Sequence, residues 1–209
     1  ANVDIAAILD TSPKGSFVRA LKYFPRAAIA GDYLFKGWKL AREVQRSGVK
    51  IYRNVTDLAA LGENSVQNVS FKENGEEHCL EVDTLALHEG ILPNTQLTRL
   101  LDLEHVWSER QRSFYPVVDS AGETSRSGVF VVGDGVGISG SKTAEYSGVI
   151  AGMTILEKLD YIKESQRDII VEGKKFRRFL DEGIRPFLDT LFPAPKNIEA
   201  ISNKTIICR

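Results

Sequence analysis

The 209 residues carry 27 Lys and Arg against 28 Asp and Glu, a net charge of −1, so no strong field selects nucleic acid or an acidic membrane surface. The length suits one large domain or two small ones, and no run reaches the roughly 18 unbroken apolar residues of a membrane-spanning helix. Cys79 and Cys208 stand far apart, which argues against a disulfide framework and for a reducing, cytoplasmic setting.

In chain order, "VDIAAILDTS" (3–12) reads as a short buried strand ending in Asp10. Residues 12–48 are helical in character, interrupted near Pro25 and Gly31 and stopped at Gly48. "VKIYRN" (49–54) is a strand, so 3–54 form one βαβ-like unit. Residues 55–87 alternate as strands, with Asn74-Gly75 as a hairpin signal. "DTLALHEGILPNTQL" (83–97) reads as a buried strand ending at Gly90, with Pro93-Asn94 after it. "RSFYPVVDSAGETSRSGVFVVGD" supplies a strand, a turn and a second buried strand at 129–132. Residues 141–159 and 160–191 are helical, and 193–209 form an extended tail with a final apolar strand. The alternation implies an α/β chain with a small antiparallel insert. The N-terminus has no basic stretch leading into an apolar core and is no signal peptide; both ends read as cut from something longer.

Gly135-Val136-Gly137-Ile138-Ser139-Gly140 is a literal G-x-G-x-x-G. A dinucleotide fingerprint also needs a second strand soon after the helix and an acid about 20 residues on. "DIIVEG" (168–173) is the only strand-like candidate, and charged helical sequence surrounds it, so the match is a weak Rossmann start. The preceding pair, Gly133-Asp134, carries more. It ends a strand at the sheet edge where ligands bind, its carboxylate can accept hydrogen bonds from sugar-alcohol hydroxyls, and the helix after it aims free N–H groups at an anion. The bland alternative is an ordinary strand-to-helix turn.

The pattern T-S-x-x-G-V-F-x-x-G-D (124–134) resembles the late flavin-binding motif of the glutathione-reductase-like flavoproteins, which have two dinucleotide-binding domains. "LALHEGILPNTQL" resembles the segment by which such proteins return from the nicotinamide domain to the flavin domain. Gly90, Pro93, Asn94 and Thr95 match it, His88 and Glu89 depart from it, and about 40 residues separate the two motifs. With "ILDTSPKGSFVRAL" and the terminal "TIICR", nearly the whole chain resembles the FAD/NAD(P)-binding large subunits of amino-acid and opine dehydrogenases. That group includes the larger chain of opine oxidase, the hydrogen cyanide synthase B subunit and dye-linked proline dehydrogenase alpha subunits.

The resemblance implies an α/β fold containing parts of two Rossmann-like, three-layer dinucleotide-binding domains, with a small antiparallel β insert and a helical C-terminal segment. Residues 1–95 would be the back part of the nicotinamide-dinucleotide-binding domain, 96–160 the C-terminal part of the FAD-binding domain, and 161–209 a helical extension toward an iron–sulfur module. It implies an FAD/NAD(P)-dependent oxidoreductase, with electrons passing between flavin and NAD(P)H or an amino-acid or opine substrate in a complex with a second subunit. Gly133, Asp134, Gly135, Val136 and Gly137 would hold FAD, helped by Gly90 and Pro93, and Asp10 would meet the ribose of NAD(P), with Lys14 and Arg19 as candidates for a 2′-phosphate. Cys208 would be a [2Fe-2S] ligand only in a longer protein. Two early glycine-rich turns of such proteins are absent, so the chain is expected to be a fragment that binds FAD and NAD(H) weakly or not at all. Apolar seams left by the missing parts would make it self-associate. A silent scaffold of flavoprotein ancestry is the alternative.

Other residues read as structural. His78, His88 and His105 lack metal-ligand spacing, neither cysteine lies in C-x-x-C, and no catalytic triad stands out. "KKFRRF" (174–179) reads as an amphipathic helix lying on its own domain rather than a nucleic-acid patch, and Trp38 and Trp107 as packing residues.

Overall fold

Strands β1 (Ala7–Asp10) and β2 (Lys50–Arg53) pair in parallel, with Ala7 opposite Lys50 and Asp10 opposite Arg53. The computed structural model of the chain describes residues 3–88 and 90–193. Between the strands run α1 (Ser16–Ala20), α2 (Phe24–Ala27) and α3 (Gly31–Arg46), joined by 3₁₀ turns at Leu21–Tyr23 and Ala28–Ala30. Pro25 falls in the first turn of α2, where its missing N–H breaks no helical bond. The predicted βαβ unit is therefore present, with its interruptions near Pro25 and Gly31.

Strands β3 (Val55–Leu61), β4 (Asn68–Glu73) and β5 (Glu76–Glu81) form the antiparallel insert in the order β3-β4-β5. Asn74 (φ 52°) and Gly75 (φ 93°) both turn left-handed, as a two-residue hairpin with primed geometry requires. Alternation along β4 buries Val69 and Phe71, which pack with Tyr52 and Val55 and so seat the parallel pair on the insert. The Tyr52 and Phe71 rings meet edge-on, 4.8 Å between centroids.

Two expected strands are not strands. Residues 83–88 and 90–95 carry no ladder, and Leu87, Ile91 and Leu92 are exposed. A buried strand needs a hydrogen-bonded neighbour and apolar cover, and the described residues supply neither there. Residues 129–132 are only half-buried and are held by single bonds, Val129 O to Thr124 N (2.9 Å) and Val131 N to Gly122 O (2.8 Å). An unexpected strand β6 (His105–Ser108) pairs as a hairpin with β7 (Ser113–Pro116), which is the strand read in "RSFYPVV", and an equally unexpected short helix α4 (Gln96–Leu100) precedes it.

The C-terminal half is helical as predicted, with α5 (Ser141–Lys158), α6 (Glu164–Glu182) and α7 (Arg185–Leu191). "DIIVEG" lies inside α6, so among the described residues no strand follows α5 and the G-x-G-x-x-G opens no βαβ unit. Helix α7 packs against the N-terminal helices, placing Ile184 and Phe187 over Ala20, Ala27 and Ala30. Small alanines permit that close approach. Phe176 and Phe179 of α6 are exposed rather than packed, with the Arg26 guanidinium 5.4 Å from the Phe179 ring centroid. Trp107 packs on Phe114, whereas Trp38 stands more than half exposed beside Phe35 and Arg42. No helix of the described residues is long and apolar enough to cross a membrane.

Candidate functional site: a glycine turn with an exposed carboxylate

The chain leaves residue 132 extended, makes a 3₁₀ turn over Gly133–Val136, and enters α5 at Ser141. Gly133 is left-handed (φ 64°), and a Cβ there would stand 3.0 Å from the Ala144 Cβ, so only glycine lets the turn lie this close to α5. Asp134 follows and is exposed. Its Oδ1 accepts N–H bonds from Ser139 (2.9 Å) and Gly140 (3.1 Å), closing the loop that precedes the helix. Its Oδ2 has no hydrogen-bond partner among the described residues. Gly137 donates its N–H to the Asp134 carbonyl at 3.3 Å.

Gln111, from the loop between β6 and β7, clamps this turn across the chain. Its Nε2 donates to the Ile138 carbonyl (2.8 Å) and its Oε1 accepts the Ile138 N–H (2.9 Å). Gly140 is the N-cap of α5 and brings no side-chain cap, so the first-turn N–H groups keep their capacity for an external acceptor. Lys142 stands in that first turn. It is ion-paired with Asp32 of α3 and lies 5.1 Å from the Tyr33 ring centroid. The Lys142 hydrogen bond holds the Asp32 carboxyl below its ordinary pKa and raises that of the lysine.

The residues leading into the turn are fastened by their own bonds. Buried Thr124 accepts the Arg126 N–H and donates to the Arg126 carbonyl, both at 3.2 Å. Ser125 Oγ accepts the Glu104 N–H at 3.3 Å. Glu123 takes the Gly128 N–H (2.9 Å) and pairs with Lys158 at the far end of α5. These bonds, the Gly128 one foremost, hold its carboxyl below the ordinary value.

Gly133, Asp134, Gly135, Val136 and Gly137 thus occupy one continuous turn. The other candidates lie on separate segments. Gly90 (φ 99°) donates its N–H to His88 Nδ1 at 3.0 Å, and Pro93 lies between it and α4. Asp10 ends β1 and its Oδ1 accepts the Ser12 N–H at 2.9 Å. Beside it, at the carboxyl ends of β1 and β2, a cleft of about 310 Å³ is walled by Thr11, Ser12, Lys14, Asn54 and Thr56. Lys14 faces this cleft, whereas the Arg19 guanidinium is bonded to the Lys14 carbonyl (3.1 Å) and Ser16 Oγ (3.0 Å). Among the described residues no group of three or more His, Cys, Asp or Glu could hold a metal ion.

Sequence reading missed a second cluster. Asp189 of α7, its side chain 6% exposed, is gripped by Arg110 Nε (2.9 Å) and by Arg185. Burial pushes the Asp189 carboxyl up in pKa, and Arg185 and Arg110 oppose that. Only the i, i+4 spacing of Arg185 and Asp189 was visible in the sequence; Arg110 and Gln111 carry no local signal.

The profile of the pyridine nucleotide-disulphide oxidoreductase family matches residues 37–151, more than half of the chain, from within α3 to within α5. The chain belongs to that family. Pyridine nucleotide-disulphide oxidoreductases are FAD- and NAD(P)-dependent enzymes, and the matched stretch includes the whole glycine turn. The A subunit of opine oxidase from Rhizobium meliloti is 32% identical over all of this chain and 40% of its own length. The corresponding opine oxidase chain of Agrobacterium tumefaciens (strain Ach5) is 30% identical over all of this chain and 41% of its own length. The chain therefore spans about two fifths of these relatives. Among solved structures, L-proline dehydrogenase from P. horikoshii superposes with a TM-score of 0.50 at 20% identity, covering 68% of this chain and 28% of that one. The fold class stands as read: α/β, with parts of two Rossmann-like dinucleotide-binding domains, a small antiparallel insert and a helical C-terminal segment.

Proposed function

We propose that the chain supplies the polyol-gripping turn of an FAD-dependent oxidoreductase that moves electrons between flavin and NAD(P)H, or an amino-acid or opine substrate, within a complex. The observation that carries this reading is the exposed Asp134 carboxylate, which uses Oδ1 to shape its own turn and keeps Oδ2 for hydroxyl donors. Two features of the chain fit the same ligand. Gly133 admits close backbone approach, and the end of α5 that bears Lys142 and carries no side-chain cap offers a positive field. Bound FAD would supply the redox chemistry, and the protein would position it. On this reading Gly135, Val136 and Gly137 shape the turn, Gly90 and Pro93 mark the return from the nicotinamide domain, and the cleft beside Asp10 and Lys14 faces the adenosine end of NAD(P).

The proposed domains are 1–95 for the nicotinamide side, 96–160 for the flavin side and 161–209 for the extension. Cys208, the proposed [2Fe-2S] ligand of a longer protein, lies outside the described residues. Partnership with a second oxidoreductase subunit is supported by the names of the relatives, which are themselves parts of multi-chain enzymes. Self-association is supported by the exposed apolar faces, and a cytoplasmic setting by Cys79, an exposed free thiol.

Flavin-fluorescence titration of the chain tests the reading. Asp134→Asn preserves an oxygen for the Ser139 and Gly140 N–H groups and replaces the free acceptor by a donor. We expect weak FAD binding by the parent chain and about tenfold weaker binding by the variant, the effect of one charge-assisted hydrogen bond. Tight binding, or equal binding by both, defeats the proposal. The runner-up reading is a catalytically silent scaffold, favoured by the use of both Asp10 and Asp134 in their own turns. It predicts no flavin binding at all alongside retained self-association.

A further inference from the structure

We propose that a cavity between the β6–β7 hairpin, the 136–139 turn and the α6–α7 corner is a binding site for a small organic oxyanion. The cavity measures about 480 Å³, within the range of small-molecule sites. Its lining combines apolar side chains, among them Val106, Tyr115 and Val136, with four arginines, Arg26, Arg110, Arg178 and Arg185.

The carboxylate that fixes two of these arginines, Asp189, lies outside the cavity. It grips Arg110 through Nε and Arg185 through Nη2, leaving each guanidinium further N–H donors. Arg185 Nε is buried and has no hydrogen-bond partner. Glu182 also lines the cavity, 3.8 Å from Arg178, and burial pushes its carboxyl up in pKa against the pull of Arg178 and Arg26. Arg26 lies over the Phe179 ring. Asp119 also lines the cavity, but its Oδ1 is spent on the N–H groups of Ala121 (2.8 Å) and Glu123 (2.9 Å). Arginines that line a cavity together with apolar side chains, two of them fixed by a buried carboxylate, suit a carboxylate or phosphate joined to an apolar body, because the guanidinium fork matches such oxyanions. The inference goes beyond the flavin reading: Asp134 does not line this cavity, although Val136 and Gly137 of the same turn do.

Calorimetric titration of the full 209-residue chain with benzoate and with inorganic phosphate tests it. Benzoate should bind with a dissociation constant of roughly 1 mM and more tightly than phosphate, since its ring can pack on the apolar lining residues. Arg178→Gln and Arg110→Gln should each weaken it about tenfold. Asp189 keeps Arg185 in both variants, and circular dichroism checks that the fold is retained. Arg46→Gln, outside the cavity, should change nothing, and Asp134→Asn should leave benzoate affinity intact even if flavin binding is lost. Benzoate alone bound means a carboxylate ligand, and phosphate bound as well or instead means a phosphate ester. Failure of both probes at ~10 mM, or affinities that ignore both cavity arginines or fall equally with Arg46→Gln, overturns the site.

Discussion

Two of the glycines around Asp134, Gly133 and Gly135, look alike in sequence but carry different loads. Gly133 is left-handed and its missing Cβ would press on Ala144 at 3.0 Å, whereas the nearest atom to a Cβ at Gly135 is a Val131 methyl at 3.1 Å that can rotate away. Gly133→Ala should therefore cost about 2 kcal/mol in urea unfolding, and Gly135→Ala less than about half of that. Equal losses would show that the turn does not lean on α5. The glycines and Asp134 were legible as a site because their residue types are rare in that order. That Asp134 spends one oxygen on Ser139 and Gly140 was not, because it depends on loop closure, and Gln111 lies 27 residues from its Ile138 partner. Glu123 adds a pH dependence. Its carboxyl is held below its ordinary value by the Gly128 N–H and by Lys158. The stabilisation is present above the unfolded-state pKa, about 4.3, and disappears as pH falls through the lower folded value. Thermal melts of Glu123→Gln should thus fall less steeply than the parent's below about pH 4.3, and parallel acid limbs would contradict this.

At the scale of elements the long helices were legible, whereas the short α4 was not and two expected strands did not form. Residues 12–48, 141–159 and 160–191 carry long-range helical character, with Pro25 and Gly48 as punctuation. Residues 83–90 and 129–132 carry an apolar composition that predicts burial, but a strand also requires a neighbour, which composition does not report. β6 was missed because four residues alternate too briefly to stand out. The packing of α7 across α1 and α2 was equally invisible, since its partners lie at opposite ends of the described chain. Phe187 is 5% exposed in that contact and meets the Phe24 ring edge-on at 6.2 Å. Phe187→Ala should lower unfolding free energy by about 3–5 kcal/mol. A loss below about 1 kcal/mol would mean that α7 is only loosely docked.

Across the whole molecule the balance of buried and exposed apolar groups is unusual. Among the described residues 15 hydrophobic side chains are buried, while 30 large ones are exposed, including Leu100 (82%) and Ile169 (81%). Single exposed leucines need no explanation, but exposed residues so close together along the chain as Phe17, Val18, Leu21 and Phe24 exceed what a monomer ordinarily leaves in water. Sedimentation velocity should therefore show weight-average mass rising with protein concentration, and a concentration-independent 23.2 kDa species would refute it. The sequence foreshadowed this through its resemblance to much longer proteins, not through its own composition, which is ordinary.

The docking of α7 on the alanine face of α1 and α2 also sets an order of events during synthesis. Ile184 and Phe187 are translated about 150 residues after Ala30, so at about 5–20 residues per second the nascent N-terminal helices wait on the order of ten seconds without their lid. For that interval the ribosome-bound chain displays a sticky flank that only a chaperone or a neighbouring polypeptide can shield.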